Sequence, residues 1–203
     1  MFALIENQQI TKFYSGNKGV TLGDIQYPRS IFTLWSEAER NAIGIFEVTV
    51  DTTNKKDEQW YINTNVSYGV ESNKAVGSYG VATPKLLEDR NETNEDGSPM
   101  LDADGNQVVT KGLKSQKKDI IKQQTAGILQ NTDWYIVRKA DAGTAVPSAV
   151  TTHRAAVRTK SNEMETAIDN ASDVDALASL YEYTEQADGS FTRPLGEFPR
   201  LDS

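Results

Sequence analysis

No cysteine occurs among the 203 residues, which excludes disulfides, thiolate nucleophiles and Cys-ligated metals outright. Histidine occurs once, at His153, a poor start for a catalytic triad or a metal site. Neither G-x-S-x-G nor a Gly-rich phosphate loop is present. No apolar run approaches the ~20 residues needed to cross a bilayer. The opening "MFALIENQQITKFY" lacks a basic segment and has an apolar run too short for a signal peptide, so synthesis in a cytoplasm without secretory export is expected. Apolar residues make up only 37%, against an ordinary 25% charged. That shortfall suggests an elongated or multi-lobed molecule, or one whose apolar faces are completed by partners. A net charge of −8 favours solubility and argues against general attraction to a phosphate backbone.

The residues that are there suggest an α+β chain: a β-rich N-terminal part, then a helical hairpin, then an extended tail. Two apolar pieces around Asn7 and Gln8 read as a β-hairpin. Ser36 and Glu39 stand at capping-box spacing, with Gly44 as the stop of a short helix. "IGIFEVTVD" reads as a strand. From Trp60 to Val70, apolar and polar residues alternate with period two, which predicts one continuous strand, and "KAVGSYGVA" is placed to pair back onto it. From Leu87 to Asn106 seven acids face one arginine among turn formers, a solvated excursion or a hairpin with its tip at Asp104-Gly105. Helical periodicity then takes over. Leu113, Ile120, Ile121, Ile128 and Leu129 can gather on one side, Val150, Val157, Met164 and Ile168 form a stripe behind Pro147, and Ser172 with Asp175 is spaced as a second capping box. The expected parts are 1–86 β-rich, 87–110 acidic linker, 111–182 helical and 183–203 an extended strap. The acidic stretch and the strap are too polar to order by themselves and are expected to be held by neighbours. No internal repeat is evident.

The chemistry that can be tried on these residues is thin. His153 falls on the stripe of Val150 and Val157, so a packed imidazole is the simpler reading. "LDADGNQ" starts like a calcium loop, but its glycine stands fourth instead of sixth and its twelfth position is Leu113. "KGLKSQKKDIIK" carries five lysines, yet Asp119 interrupts them and no aromatic stands ready to stack on a base. Trp60, Tyr61 and Tyr68 would serve a sugar-binding adhesin only if their rings share an exposed face. No enzyme, cofactor, metal, nucleic acid or membrane insertion is expected. Charge is blocked: residues 111–160 hold ten bases against three acids, and 161–203 ten acids against two bases. Such blocks attract each other within a chain or between subunits, so a homo-oligomer is an expected partner.

One stretch is more specific. In "ILQNTDWYIVRKADAGTAVPSAVTTHRAAVR", Asn131, Thr132 and Asp133 are turn and cap formers, and Trp134 offers a large ring to pin the turn to the helix before it. Arg154 and Arg158 lie one turn apart on the next helix, within reach of Asp133 or of a partner's carboxylates. Asp133, Trp134, Arg154 and Arg158 are the candidate docking residues of an αα-hairpin. Leu129, Thr132, Asp133, Trp134, Arg154 and Arg158 together resemble the short domain of bacteriophage tail fibre assembly proteins, the tail assembly chaperone group. Here His153 stands where that pattern has an aromatic residue, and Gln123-Gln124-Thr125 where it has an arginine. "MFALIENQQITKF" and "GDIQYPRSIFTLWSEAERNAIGI" also resemble the N-termini of tail-fibre-associated proteins. The resemblance implies a non-enzymatic protein of the virion tail, in the fibre or baseplate region, made in the host cytoplasm and contacting other phage tail proteins. Its alternatives are an assembly chaperone absent from the mature virion, or a host-surface glycan-binding adhesin.

Overall fold

The computed structural model describes residues 1–201, and the chain divides into two compact units, Met1–Thr83 and Pro84–Ser203. The architecture is α+β, with a curled five-stranded sheet in the first unit and helices dominating the second. The acidic stretch 87–106 belongs to the second unit.

In the first unit β1 (Phe2–Glu6) and β2 (Gln9–Tyr14) form the expected hairpin. Asn7 and Gln8 both take positive φ, the turn whose twist matches that of its strands. β3 (Val20–Leu22) and β4 (Ile25–Tyr27) make a second, smaller hairpin. α1 (Glu37–Ala42) starts on a true capping box: Glu39 N–H donates to Ser36 Oγ, and Ser36 N–H to the Glu39 carboxylate. Gly44 at φ +81° ends it and β5 (Ile45–Asp51) follows. The order across the sheet is β2-β1-β5-β8-β7, where β7 is Val66–Glu71 and β8 is Lys74–Tyr79; only β5 and β8 run parallel. The sheet curls until its outer strands meet. Gln8 Nε2 donates to Asn73 Oδ1 at 2.9 Å, and the Phe13 and Tyr68 rings lie edge to face at 5.0 Å. On its other side, Val20, Ile31, Phe32 and Ile45 are buried beneath Phe2, Leu4, Tyr14 and Trp35.

The period-two run from Trp60 to Val70 is not one strand. It divides into β6 (Tyr61–Ile62) and β7, because side chains in the gap bond backbone that a ladder would need. Asn63 brackets Lys56, accepting from its N–H at 2.9 Å and donating to its carbonyl at 2.8 Å, while Thr64 Oγ1 accepts the Gly80 N–H. At Gly77 a Cβ would sit 2.8 Å from the Tyr68 ring, so this glycine makes room for the aromatic instead of merely weakening the strand.

The second unit opens with a ribbon of three short segments, closed by pairing of Arg90–Asn91 with Val109–Thr110 and by the bridges Thr93–Pro99 and Leu101–Gln107. Its two tips are the same turn. Asn94 N–H donates to Ser98 O and Asp102 N–H to Asn106 O, with Gly97 and Gly105 at φ +82° and +84°. A third copy closes on Gln186, Ser190 and Gly189, a repeat hidden in "NEDGS", "DADGN" and "QADGS" because only Asp-Gly is common to all three. The acidic stretch is therefore organised by the chain's own hydrogen bonds, where neighbours were expected to hold it.

α2 (Leu113–Gln130) and α4 (Ser148–Asp169) lie antiparallel, tied by Thr125 Oγ1 to Ser161 Oγ at 2.9 Å and by Lys118 to Asp169 at 2.6 Å. On α4, Val150, Arg154, Val157, Ser161, Met164 and Ile168 are buried at the alternating four-three spacing of a coiled-coil seam, and His153 is buried beside them. Leu113 and Ile121 face it, but Ile120 is 44% exposed and does not join them. Asp173, not Ser172, caps α5 (Val174–Ser179), accepting the Ala176 N–H at 2.8 Å. The strap lies on this chain's own helices: Leu195 is buried, and Pro199 O is 3.1 Å from His153 Nε2. Residues 202 and 203 of the expected strap fall outside the described residues.

Candidate functional site

The candidate docking residues sit where α2 gives way to α3 (Asp133–Ala142). Helix propagation stops at Asn131 and Thr132, which leaves carbonyl groups of the last turn seeking donors. Leu129 O accepts from Thr132 N–H and Thr132 Oγ1, each at 3.0 Å, from Arg154 Nη1 at 2.7 Å, and from the Asn131 N–H. Arg154 also donates to Thr132 Oγ1 at 2.7 Å and pairs with Asp133 at 2.8 Å. Its guanidinium is buried while the Asp133 carboxylate is 55% exposed, so the arginine is the anchored partner. Asp133 and Arg154 are thus brought together as the spacing suggested. Arg158 is not; it is exposed, and its guanidinium meets the Arg154 carbonyl at 3.4 Å.

Trp134 does not pin the turn to α2. Its side chain is 51% exposed, stacked on the Tyr135 ring at 3.7 Å with the Arg138 guanidinium 4.8 Å from its centroid. Tyr135 and Arg138 were missed as members of this cluster; the signal was available in the one-turn spacing of Trp134 and Arg138. α3 as a whole buries none of its residues, and Ile136 and Val137 stand 44% and 65% exposed. The arrangement offers an apolar, cation-edged helix held out on a rigid turn.

Other candidate sites are occupied by structural work. Asp102 Oδ1 accepts the N–H groups of Asp104 and Asn106 at 2.9 and 2.8 Å, which fixes a turn. Among the described residues no cluster of three His, Cys, Asp or Glu side chains is placed to hold a metal, and no helix is long and apolar enough to cross a membrane. Of the lysine run, Lys111, Lys114, Lys118 and Lys122 are paired with Asp119, Glu88, Asp169 and Glu165. A trough of about 520 Å³ between α2 and the strap contains Arg193 and Glu197, which are bonded to each other at 2.8 Å. Trp60 is buried while Tyr68, edge to face with Phe13, is exposed, so Trp60, Tyr61 and Tyr68 do not share one exposed face. No family model, curated protein or solved structure matches the chain.

Proposed function

We propose that the chain is a non-enzymatic structural component of a bacteriophage tail, in the fibre or baseplate region, acting through protein–protein contacts made by the α2–α3–α4 segment. The observation that carries the reading is α3: a ten-residue helix with no buried residue. A helix that short is marginal in water without a packed face. Its exposed Trp134, Ile136 and Val137 are the kind of surface that a partner covers. Further support comes from the positions that carry the phage resemblance. Leu129, Thr132, Asp133 and Arg154 are bonded into the turn that presents α3.

The test is mass spectrometry of purified phage particles whose genome encodes this chain. Presence in fixed stoichiometry is the expected result. Absence from mature particles, together with misassembled fibres when the gene is removed, would replace this reading with that of an assembly chaperone.

A further inference from the structure

The second unit carries two exposed apolar patches of opposite charge. On α3, at 100° per residue, Ile136, Ala140, Val137 and Trp134 fall on one side, with Lys139 and Arg138 on its two edges. Arg158 on α4, and Arg200, which lines a hollow with Ile128 and Thr132, add positive charge to this end. Asp133 and Asp141 also fall within this arc, Asp133 held by Arg154 and Asp141 in the last turn, so the positive charge lies along its edges. The other patch is the ribbon that leads directly into Leu113, so the full length of α2, ~27 Å at 1.5 Å per residue, separates the two. There Leu101 and Val109, which the Leu101–Gln107 bridge sets on one face, are 56% and 43% exposed, among the seven acids that face one arginine between Leu87 and Asn106.

We infer that the occupant of α3 is a second copy of this chain, docked by its acidic ribbon. This rests on the reading that the chain works through protein contacts, and it names the partner. Apolar meets apolar in such a contact, while Arg138 and Lys139 approach Glu95, Asp96 and Asp104. Pairing α3 with α3 would instead set cations against cations. Because the two surfaces differ, the contact is heterologous, and each copy keeps one free patch for the next, giving a ring or an open series instead of a closed two-fold dimer.

Sedimentation velocity of the full chain over a concentration series, in low and high salt, reads this directly. The expected result is a mass that rises past that of a dimer with concentration and falls with salt. Two double variants separate the faces: Arg138→Glu with Lys139→Glu, and Glu95→Lys with Asp104→Lys. Among the described residues Glu95, Asp104 and Lys139 hold no side-chain ion pair, Arg138 gives up its stacking on Trp134 and Tyr135, and circular dichroism checks that each variant folds. Each alone should associate at least tenfold more weakly, and an equimolar mixture should recover growth past a dimer, because the two reversed faces complement each other as the two unaltered faces do. The proposal is overturned if the wild-type chain stays monomeric, if its mass stops at a dimer, if only the α3 pair matters, or if the mixture remains monomeric. A monomer in solution that is nonetheless present in particles would remove this inference and leave the functional reading standing; assembly in solution with absence from particles would do the reverse.

Discussion

The Arg154 guanidinium donates to Thr132 Oγ1 at 2.7 Å, a buried contact between the middle of one helix and the end of its antiparallel neighbour. With Leu129 O and Asp133 as its other acceptors, Arg154 supplies the donors that the interrupted α2 leaves wanting. Replacing it with Ala should lower stability by about 2–4 kcal/mol, since two buried charge-assisted bonds are lost together with the packing of the side chain. Asp133→Ala should cost under about 1 kcal/mol, because the carboxylate is mostly in water and its pairing is screened. Urea unfolding of the two variants checks the asymmetry; equal costs would show that the ion pair, and not the carbonyl staple, carries the turn.

Trp134 leads to the opposite expectation. A core tryptophan cut back to Ala costs about 3–5 kcal/mol, the figure its size alone would suggest. Half-exposed on a helix that buries nothing, it should cost about 1 kcal/mol or less in the isolated chain. Its effect should fall on association. Thermal unfolding and sedimentation of Trp134→Ala separate the two.

What was legible beforehand was local. The Asn7-Gln8 hairpin, the Ser36 and Glu39 capping box and the stripe of Val150, Val157, Met164 and Ile168 each rest on successive residues no more than about two turns apart. The failures came where a distant group decided. Thr64 is diverted by the Gly80 N–H, sixteen residues away, and so breaks a pattern that is otherwise a good strand. Trp134 looked like core because large apolar rings usually are; nothing in its neighbourhood says that this face of α3 is left open. Of the four candidate residues, Asp133 and Arg154 meet, one of the two outcomes that their spacing left open, while the isolation of Arg158 depends on which way α3 turns.

Asp89 makes the second unit sensitive to acid. Its carboxylate accepts the Gly112 N–H at 2.8 Å and the Ser115 hydroxyl at 2.9 Å, and these bonds, the backbone one foremost, hold it below the usual carboxylate range. A group depressed in this way contributes its stability in full above the unfolded value, near ~3.9, and loses it as pH falls through the folded value. The urea midpoint should therefore be flat near neutrality and drop below about pH 4. Asp89→Asn keeps an acceptor for Gly112 but no titration, so its acid limb should be shallower; an unchanged limb would assign the loss to other carboxylates.

Gly112 itself tolerates no side chain. A Cβ there would lie 2.4 Å from the Glu88 carbonyl carbon and oxygen, where the ribbon crosses the start of α2. The chain passes this closely because Leu113 and Lys114 N–H donate to Leu86 and Leu87 carbonyls at 2.8 and 3.1 Å. Gly112→Ala must push backbone from backbone, and a loss of about 3 kcal/mol or more is expected, at the upper end of overpacking costs. Gly127→Ala is the control: its Cβ would meet nothing within 4 Å, and inside α2 it should stabilise by about 0.5–1 kcal/mol.

The ribbon has its own keystone in Gln107. Its Nε2 reaches Glu92 O at 2.7 Å, Val108 O at 2.9 Å and Met100 O at 3.1 Å, one amide shared among all three segments. These segments are too short to hold register by pairing alone, since each side of the closure is a two-residue strand or a single bridge. Gln107→Ala should cost about 1–2 kcal/mol and speed hydrogen exchange at the Glu92, Met100 and Val108 amides, while leaving the amides of α2 and α4 protected. Gln107→Glu should fail in the same way, because a carboxylate brings acceptors to carbonyl oxygens. If exchange in the ribbon is unchanged in both variants, the Asp-Gly turns at its tips, and not the central amide, hold it together.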